Sequence, residues 1–208
     1  MGKCVAYVAA AVVFMGVGAL IAGIAVWYTH PQVVEALTGD VESRYAECVL
    51  TATASGAGVV GTLKFQQFQP NAFVQITGNI SGLTVGPHGF HVHQWGVAGA
   101  SQGCKDAGGH YNPEGFNHSA PNSTERHVGD LGNIDSVDDG SGSGTSLVDI
   151  KDNVISLWGR QSIVGRSIVV HAGEDDLGLG GTAESLKTGA AGGRLACCNI
   201  HFVPAPVM

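Results

Sequence analysis

Six of the chain's nine histidines form a short ordered series. His91 and His93 stand in Gly89-Phe90-His91-Val92-His93, followed by His110, His118 and His127, and then by His171 in Ser167-Ile168-Val169-Val170-His171. Asp130 comes just after His127. Neutral imidazole is the commonest protein ligand for copper and zinc. His91 and His93 are two apart on a strand-like segment, so both side chains leave the same face. With His110 and His171 they make four nitrogens, a set suited to tetragonal Cu(II). His110, His118, His127 and Asp130 make three imidazoles and a carboxylate, the closed donor set of a structural zinc. His110 belongs to both sets, and a ring with two nitrogens is able to bridge two metals. A lone histidine is ordinarily a packed or surface ring, but that does not explain an ordered set of six with an aspartate.

Elements must hold these rings in place. Short β-like segments alternate with turns over 47–53, 59–68, 73–81, 89–95, 130–134, 145–150, 154–157, 167–171 and 195–203. Breaks fall at Ser55-Gly56, Gln69-Pro70-Asn71, Gly86-Pro87 and the 138–144 run, all turn chemistry. Strands at this spacing predict a sandwich or flattened barrel. Two long stretches, 96–129 and 172–194, lack strand patterning and adjoin the histidines. Loops of that length in a compact domain are usually functional, here carried on a rigid scaffold.

The 208-residue chain is long enough for one domain with a proper core. Its 32 glycines without a Gly-X-Y period point to many tight turns and an all-β domain. A net charge of −7 and the lack of any basic stripe exclude nucleic acid as a partner. Residues 4–28 hold no charge, and Lys3 alone precedes them. As a helix that run spans roughly 37 Å, enough to cross a bilayer core with tilt. It fits either a membrane anchor or an export signal cleaved near Gly23-Ile24-Ala25, and both send the rest of the chain across a membrane. A polar spacer with a short helix over 32–37 follows. Three N-glycosylation triplets, at Asn79, Asn117 and Asn122, agree with export. The first is expected to need a place at a strand end, and the second adjoins His118.

The residues around these histidines resemble the copper/zinc superoxide dismutase family. The resemblance rests on Gly89-Phe90-His91-Val92-His93, Gly109-His110-Tyr111-Asn112-Pro113 and Arg126-His127-Val128-Gly129-Asp130-Leu131-Gly132-Asn133. It continues through Gly165-Arg166-Ser167, Val170-His171, Asp175-Asp176-Leu177-Gly178, Lys187-Thr188-Gly189 and Arg194-Leu195-Ala196-Cys197, in unbroken order over 46–203. It implies an eight-stranded Greek-key flattened barrel, an immunoglobulin-like sandwich with two long functional loops. An N-terminal apolar helix would precede it. The domains are then 1–28 (signal or anchor), 29–45 (spacer) and 46–208 (enzyme). The implied activity is disproportionation of superoxide to O2 and H2O2, outside the cytosol, by a homodimer.

The resemblance carries over to named positions. Copper is held by His91, His93, His110 and His171, and zinc by His110, His118, His127 and Asp130. Asp175 joins ligand rings of the two sites. Arg194 orients superoxide beside copper, and His110 carries a proton. His88 matches a structural histidine, whereas His30 and His201 match no ligand. Glu184, Lys187 and Thr188 match the loop that guides the anion inward; there the local field, not net charge, sets the steering. Ala183 and Leu179 depart from the family, standing where an acid and a lysine are common. From His93 to Cys104 the chain is two residues longer than the family pattern, which leaves the oligomeric state open. A copper chaperone would add a Cys-x-x-Cys domain and a Cys-x-Cys tail, and neither is present. A domain that has kept zinc and lost copper would not retain His91, His93 and His171.

The resemblance also implies a disulfide between Cys104 and Cys197. Cys198, next along the strand, points to the opposite face. A second bridge to Cys48 and a pair of buried thiols both fit, the bridge requiring the first and last strands to be neighbours.

Overall fold

The computed structural model describes residues 42–206 apart from Ser141. The apolar run 4–28 and the short helix over 32–37 lie outside these residues. Among the described residues no helix is long and apolar enough to cross a membrane.

Alternation of apolar and polar side chains builds nine strands. They are β1 (Arg44–Ala52), β2 (Val60–Gln67), β3 (Val74–Leu83), β4 (Gly86–His93), β5 (Asp130–Asp138), β6 (Gly144–Asp152), β7 (Ser167–His171), β8 (Arg194–Asn199) and β9 (His201–Val203). The first begins inside the expected 29–45 spacer. Neighbours run β2-β3-β6-β5-β4-β7-β8-β1-β9, and a further β1–β2 pairing closes the barrel. The non-consecutive neighbours β3–β6 and β4–β7 are Greek-key connections. β8 pairs with Thr51 and Ala52 of β1, while β9 pairs with Tyr45, Ala46 and Glu47. The two are one last strand interrupted at Ile200, whose backbone bonds instead to Gly165 and Arg166. The barrel therefore has eight strand positions.

Closure gives a single interior. Cys48, Leu63, Phe65, Ile76, Ile80, Phe90, Ile168 and Ala196 fill it, none more than 1% exposed. The expected strand over 154–157 is absent. Asp152 Oδ1 accepts the N–H groups of Val154 and Ile155, and buried Gln67 accepts that of Leu157. With its donors taken by side chains the segment turns instead of joining a ladder.

β4 is where scaffold and site meet. Phe90 and Val92 point into the core, so period two sends His91 and His93 to the other face. These rings are buried too, because the two long loops cover that face. The loops contain only short helical turns, Ala100–Gln102, Lys105–Ala107 and α1 (Ser185–Thr188).

Candidate metal centre

Sheet register brings the histidines together. His91 stands opposite Val169 on β7 and pairs with Asp130 on β5. His171 stands opposite Arg194 on β8. His93 bridges to His110, which carries the first long loop back onto β4.

Two clusters result. Ligand atoms of His91, His93, His110 and His171 lie within 4.8 Å of one another, as do those of His110, His118, His127 and Asp130. All seven residues are buried. Around Asp130 Oδ1 stand His110 Nδ1 at 2.9 Å, His118 Nδ1 at 2.8 Å and His127 Nδ1 at 3.1 Å. The His118 approach lacks hydrogen-bond geometry, so these donors converge on a point and do not simply pair. In the other cluster His93 Nε2 and His171 Nε2 are 3.3 Å apart.

Outer partners fix which nitrogen of each ring faces inward. His91 Nε2 donates to Asp175 Oδ2 at 2.9 Å, and His118 Nε2 to Asp175 Oδ1 at 2.7 Å. His93 Nδ1 donates to the Gly108 carbonyl at 3.0 Å, and His171 Nδ1 to the Gly192 carbonyl at 3.2 Å. His127 Nε2 donates to the Phe116 carbonyl at 3.0 Å. In its neutral form each of these five rings turns one lone pair toward a cluster. His110 differs: its Nδ1 faces Asp130, and its Nε2 has no partner among the described residues. His91 Nδ1 is buried and unpartnered as well. Buried unpaired nitrogens are costly unless an ion takes the lone pair, so the donor sets fit bound cations.

Titration agrees. Burial pushes His91 and His93 well below the usual imidazole range, and the neighbouring His110 adds to it. Burial likewise takes His171 down to about 4 and lowers His110. These rings are neutral at pH 7, as ligands must be. Burial alone would lower His118 also, but its contacts with Asp130 and Asp175 raise it to about 9. Burial works against the charge on Asp130 and Asp175, and their histidine hydrogen bonds outweigh it, holding both carboxyls well below the ordinary range.

A scan against family models matches the copper/zinc superoxide dismutase family over residues 59–200, more than half of the chain. The chain is 45% identical over 150 residues to an extracellular copper/zinc superoxide dismutase of Caenorhabditis elegans, covering 72% of this chain and 64% of that protein. It is 49% identical over 152 residues to copper/zinc superoxide dismutase 5 of Dictyostelium discoideum, covering 73% and 93%. To copper/zinc superoxide dismutase A of Xenopus laevis it is 48% identical over 159 residues, covering 76% and 98%. The chain belongs to the copper/zinc superoxide dismutase family. Superoxide dismutation, with copper and zinc as cofactors, is the activity that membership carries.

Several expected dismutase residues have definite places. Arg194 donates to the carbonyls of Cys104 and Gly108, both at 2.5 Å, and its charge depresses His93 and His171. Cys104 is bonded to Cys197, so one bridge fastens the loop that aims Arg194. Cys48 and Cys198 form the second bridge, and the thiol alternative falls. Thr188 donates to Glu184 Oε1 at 2.6 Å, across α1. Exposed Lys187 lines an open cleft with His110 and His127. His88 Nδ1 donates to the His171 carbonyl while its Nε2 accepts from the Thr84 hydroxyl, a structural tie. His201 is exposed and outside the site.

Two contributors escaped the sequence reading. Asn133 clamps the backbone of Asp175. Buried Arg126 donates to the Asp130 carbonyl and pairs with Asp152, tying the loop that carries His118 and His127 to the end of β6. Both lie in the matched 126–133 run, but nothing in their type announces a role.

Proposed function

We propose that this chain is an exported superoxide dismutase in which His91, His93, His110 and His171 hold copper while His110, His118, His127 and Asp130 hold zinc. The observation that carries this reading is His110: it alone of the six rings spends neither nitrogen on an outer partner, and each faces one donor cluster. When bound, copper would supply the one-electron exchange that superoxide disproportionation requires, and zinc, which has no redox chemistry, would hold His110 and the loop carrying His118 and His127 in place.

The chain's residues do the rest. Arg194, held by two carbonyls, presents its guanidinium to the anion at the copper cluster. Lys187 offers positive charge at the approach, and Glu184 with Thr188 braces α1 behind it. Two superoxide ions and two protons give O2 and H2O2; His110 Nε2 is placed to hold and release one of those protons. Asp175 keeps His91 and His118 in fixed tautomers throughout.

Export is supported by two disulfides, which persist in oxidising compartments, and by the extracellular relative. Residues 1–28 then serve as signal or anchor, 29–45 as a spacer, and the barrel removes superoxide on the outer side. A homodimer is the family's assembly. The test is reconstitution of the full chain with copper and zinc beside His171→Ala. Superoxide loss should collapse in the variant; equal rates would sink the copper assignment.

A further inference from the structure

The outer face of β1, β2, β3 and β6 is divided in two. One cross-strand row joins Glu47, Lys64, Thr77 and Asp149, and it is charged as a solvated face should be. The next row joins Val49, Thr62, Asn79 and Leu147 in direct register, and it holds no charge. The row beyond runs from Val60 through Ser81 and Thr145 to Val137 and is also uncharged. The two uncharged rows together carry four aliphatic side chains, all far from buried: Val49 is 54% exposed, Val60 55%, Val137 65% and Leu147 81%. Thr145 donates to Asp139 at the rim, so acids border the patch without entering it. The middle of this face is polar (Thr62, Asn79, Ser81 and Thr145), with exposed Val49 and Val60 on one side and Leu147 and Val137 on the other, so the aliphatic side chains frame an uncharged centre.

Asn79 sits at the centre of this patch and begins the triplet Asn79-Ile80-Ser81. It lies in mid-strand and not at the expected strand end, yet period two turns it outward, and it is exposed. Its amide has no hydrogen-bond partner among the described residues. The fold leaves Asn79 free to project a large group, with Leu147 directly opposite it and Val49 two strands away to rest on.

We propose that Asn79 carries an N-linked oligosaccharide that covers this uncharged face, a proposal that rests on the export reading. The sugar is joined to the extended chain before folding. The amide nitrogen of Asn79 attacks C1 of an oligosaccharide carried on a lipid pyrophosphate; the N–C1 bond forms, the C1–O bond breaks, lipid pyrophosphate departs and the amide proton goes to a base. No electron is transferred to or from an outside partner. On folding, the sugar's apolar C–H faces lie over Leu147 and Val49 while its hydroxyls face water. The occupant is a glycan and not a second copy because the acceptor triplet stands in the middle of the patch, where a glycan would block a protein partner.

The test is the full chain expressed in insect cells with a reporter triplet appended at its C-terminus, followed by glycopeptide mapping. Glycan on both Asn79 and the reporter is expected. An unmodified Asn79 beside a modified reporter overturns the proposal and leaves export standing; an unmodified reporter overturns both. Trimming the glycan on the folded protein to one sugar should raise binding of an apolar dye and shift the protein to larger species. No change on trimming, or a native dimer protected across β3 and β6, overturns the covering role. Asn79→Gln should reproduce the trimmed behaviour wherever it is secreted.

Discussion

Asn133 and Asp175 hold each other by reciprocal hydrogen bonds, Asn133 Nδ2 to the Asp175 carbonyl at 2.8 Å and the Asp175 N–H to Asn133 Oδ1 at 2.7 Å. Asn133 belongs to a strand and Asp175 to a loop. One side chain therefore ties the carboxylate that orients His91 and His118 to the rigid barrel. Asn133→Ala should keep the fold and loosen that carboxylate. Partners outside the ligand shell are typically worth 10- to 100-fold in metal affinity, and with Asn133 one contact further away the loss should be about tenfold. Competitive zinc titration checks this; unchanged affinity would show that Asp175 needs no clamp.

Zinc must compete with a proton at His118. With that ring raised to about 9 in the metal-free protein, apparent zinc affinity should climb by up to about tenfold per pH unit from pH 6.5 and level off near 9. Affinity that is flat from pH 6.5 to 8 contradicts the assignment. The stability of the metal-free protein has two signs. For His118 the folded value lies above the unfolded one, so its contribution is complete below about 6.5 and is lost as pH rises through about 9. His171 is lowered to about 4, so its contribution is complete above about 6.5 and is lost as pH falls toward 4. The metal-free melting temperature should peak near pH 6.5, as calorimetry across pH would reveal.

The two disulfides should separate in their effects. Cys48–Cys198 closes a separation of 150 residues and Cys104–Cys197 one of 93, each worth about 5 kcal/mol in the chain-entropy model. Replacing Cys48 and Cys198 by serine should lower the melting temperature by roughly 10 °C or more and leave turnover of the metal-loaded enzyme nearly unchanged. Replacing Cys104 and Cys197 should cost comparable stability and also turnover, because Cys104 O is one of the two acceptors aiming Arg194. Equal turnover losses in the two pairs would contradict this division.

Much of this was legible in the sequence because it is written in side-chain type and period. His91 and His93 sit two apart on a strand, so their shared face follows from strand geometry. The strands and the two long loops follow from alternation and turn residues. What stayed hidden depends on partners distant in the chain or on backbone atoms. The carbonyls of Gly108 and Gly192 fix the tautomers of His93 and His171, and no residue letter encodes a carbonyl's direction. The 154–157 segment has strand composition, but Asp152 and Gln67 capture its donors. The partner of Cys48 depends on β1 and β8 being neighbours, with Thr51 opposite Cys197, a long-range pairing that no local pattern encodes.

Gly189 ends α1 with φ +65°, a conformation that side chains disfavour. It also lies against the outer partner of the zinc cluster. A Cβ there would stand 1.8 Å from Asp175 Oδ1 and 2.6 Å from His118 Nε2, the two atoms of the hydrogen bond that orients His118. Gly189→Ala must therefore push Asp175 and His118 apart, besides straining the turn by roughly 1 kcal/mol. The His91 bond to the other oxygen of Asp175 should suffer less, so damage should fall first on zinc. Zinc affinity should drop about 10- to 100-fold while copper affinity changes little. The imidazole N–H resonance of His118 Nε2 should exchange faster with water in the zinc-loaded variant. If that proton stays protected and zinc binds as tightly as before, the His118–Asp175 hydrogen bond is not what holds the ring to the metal.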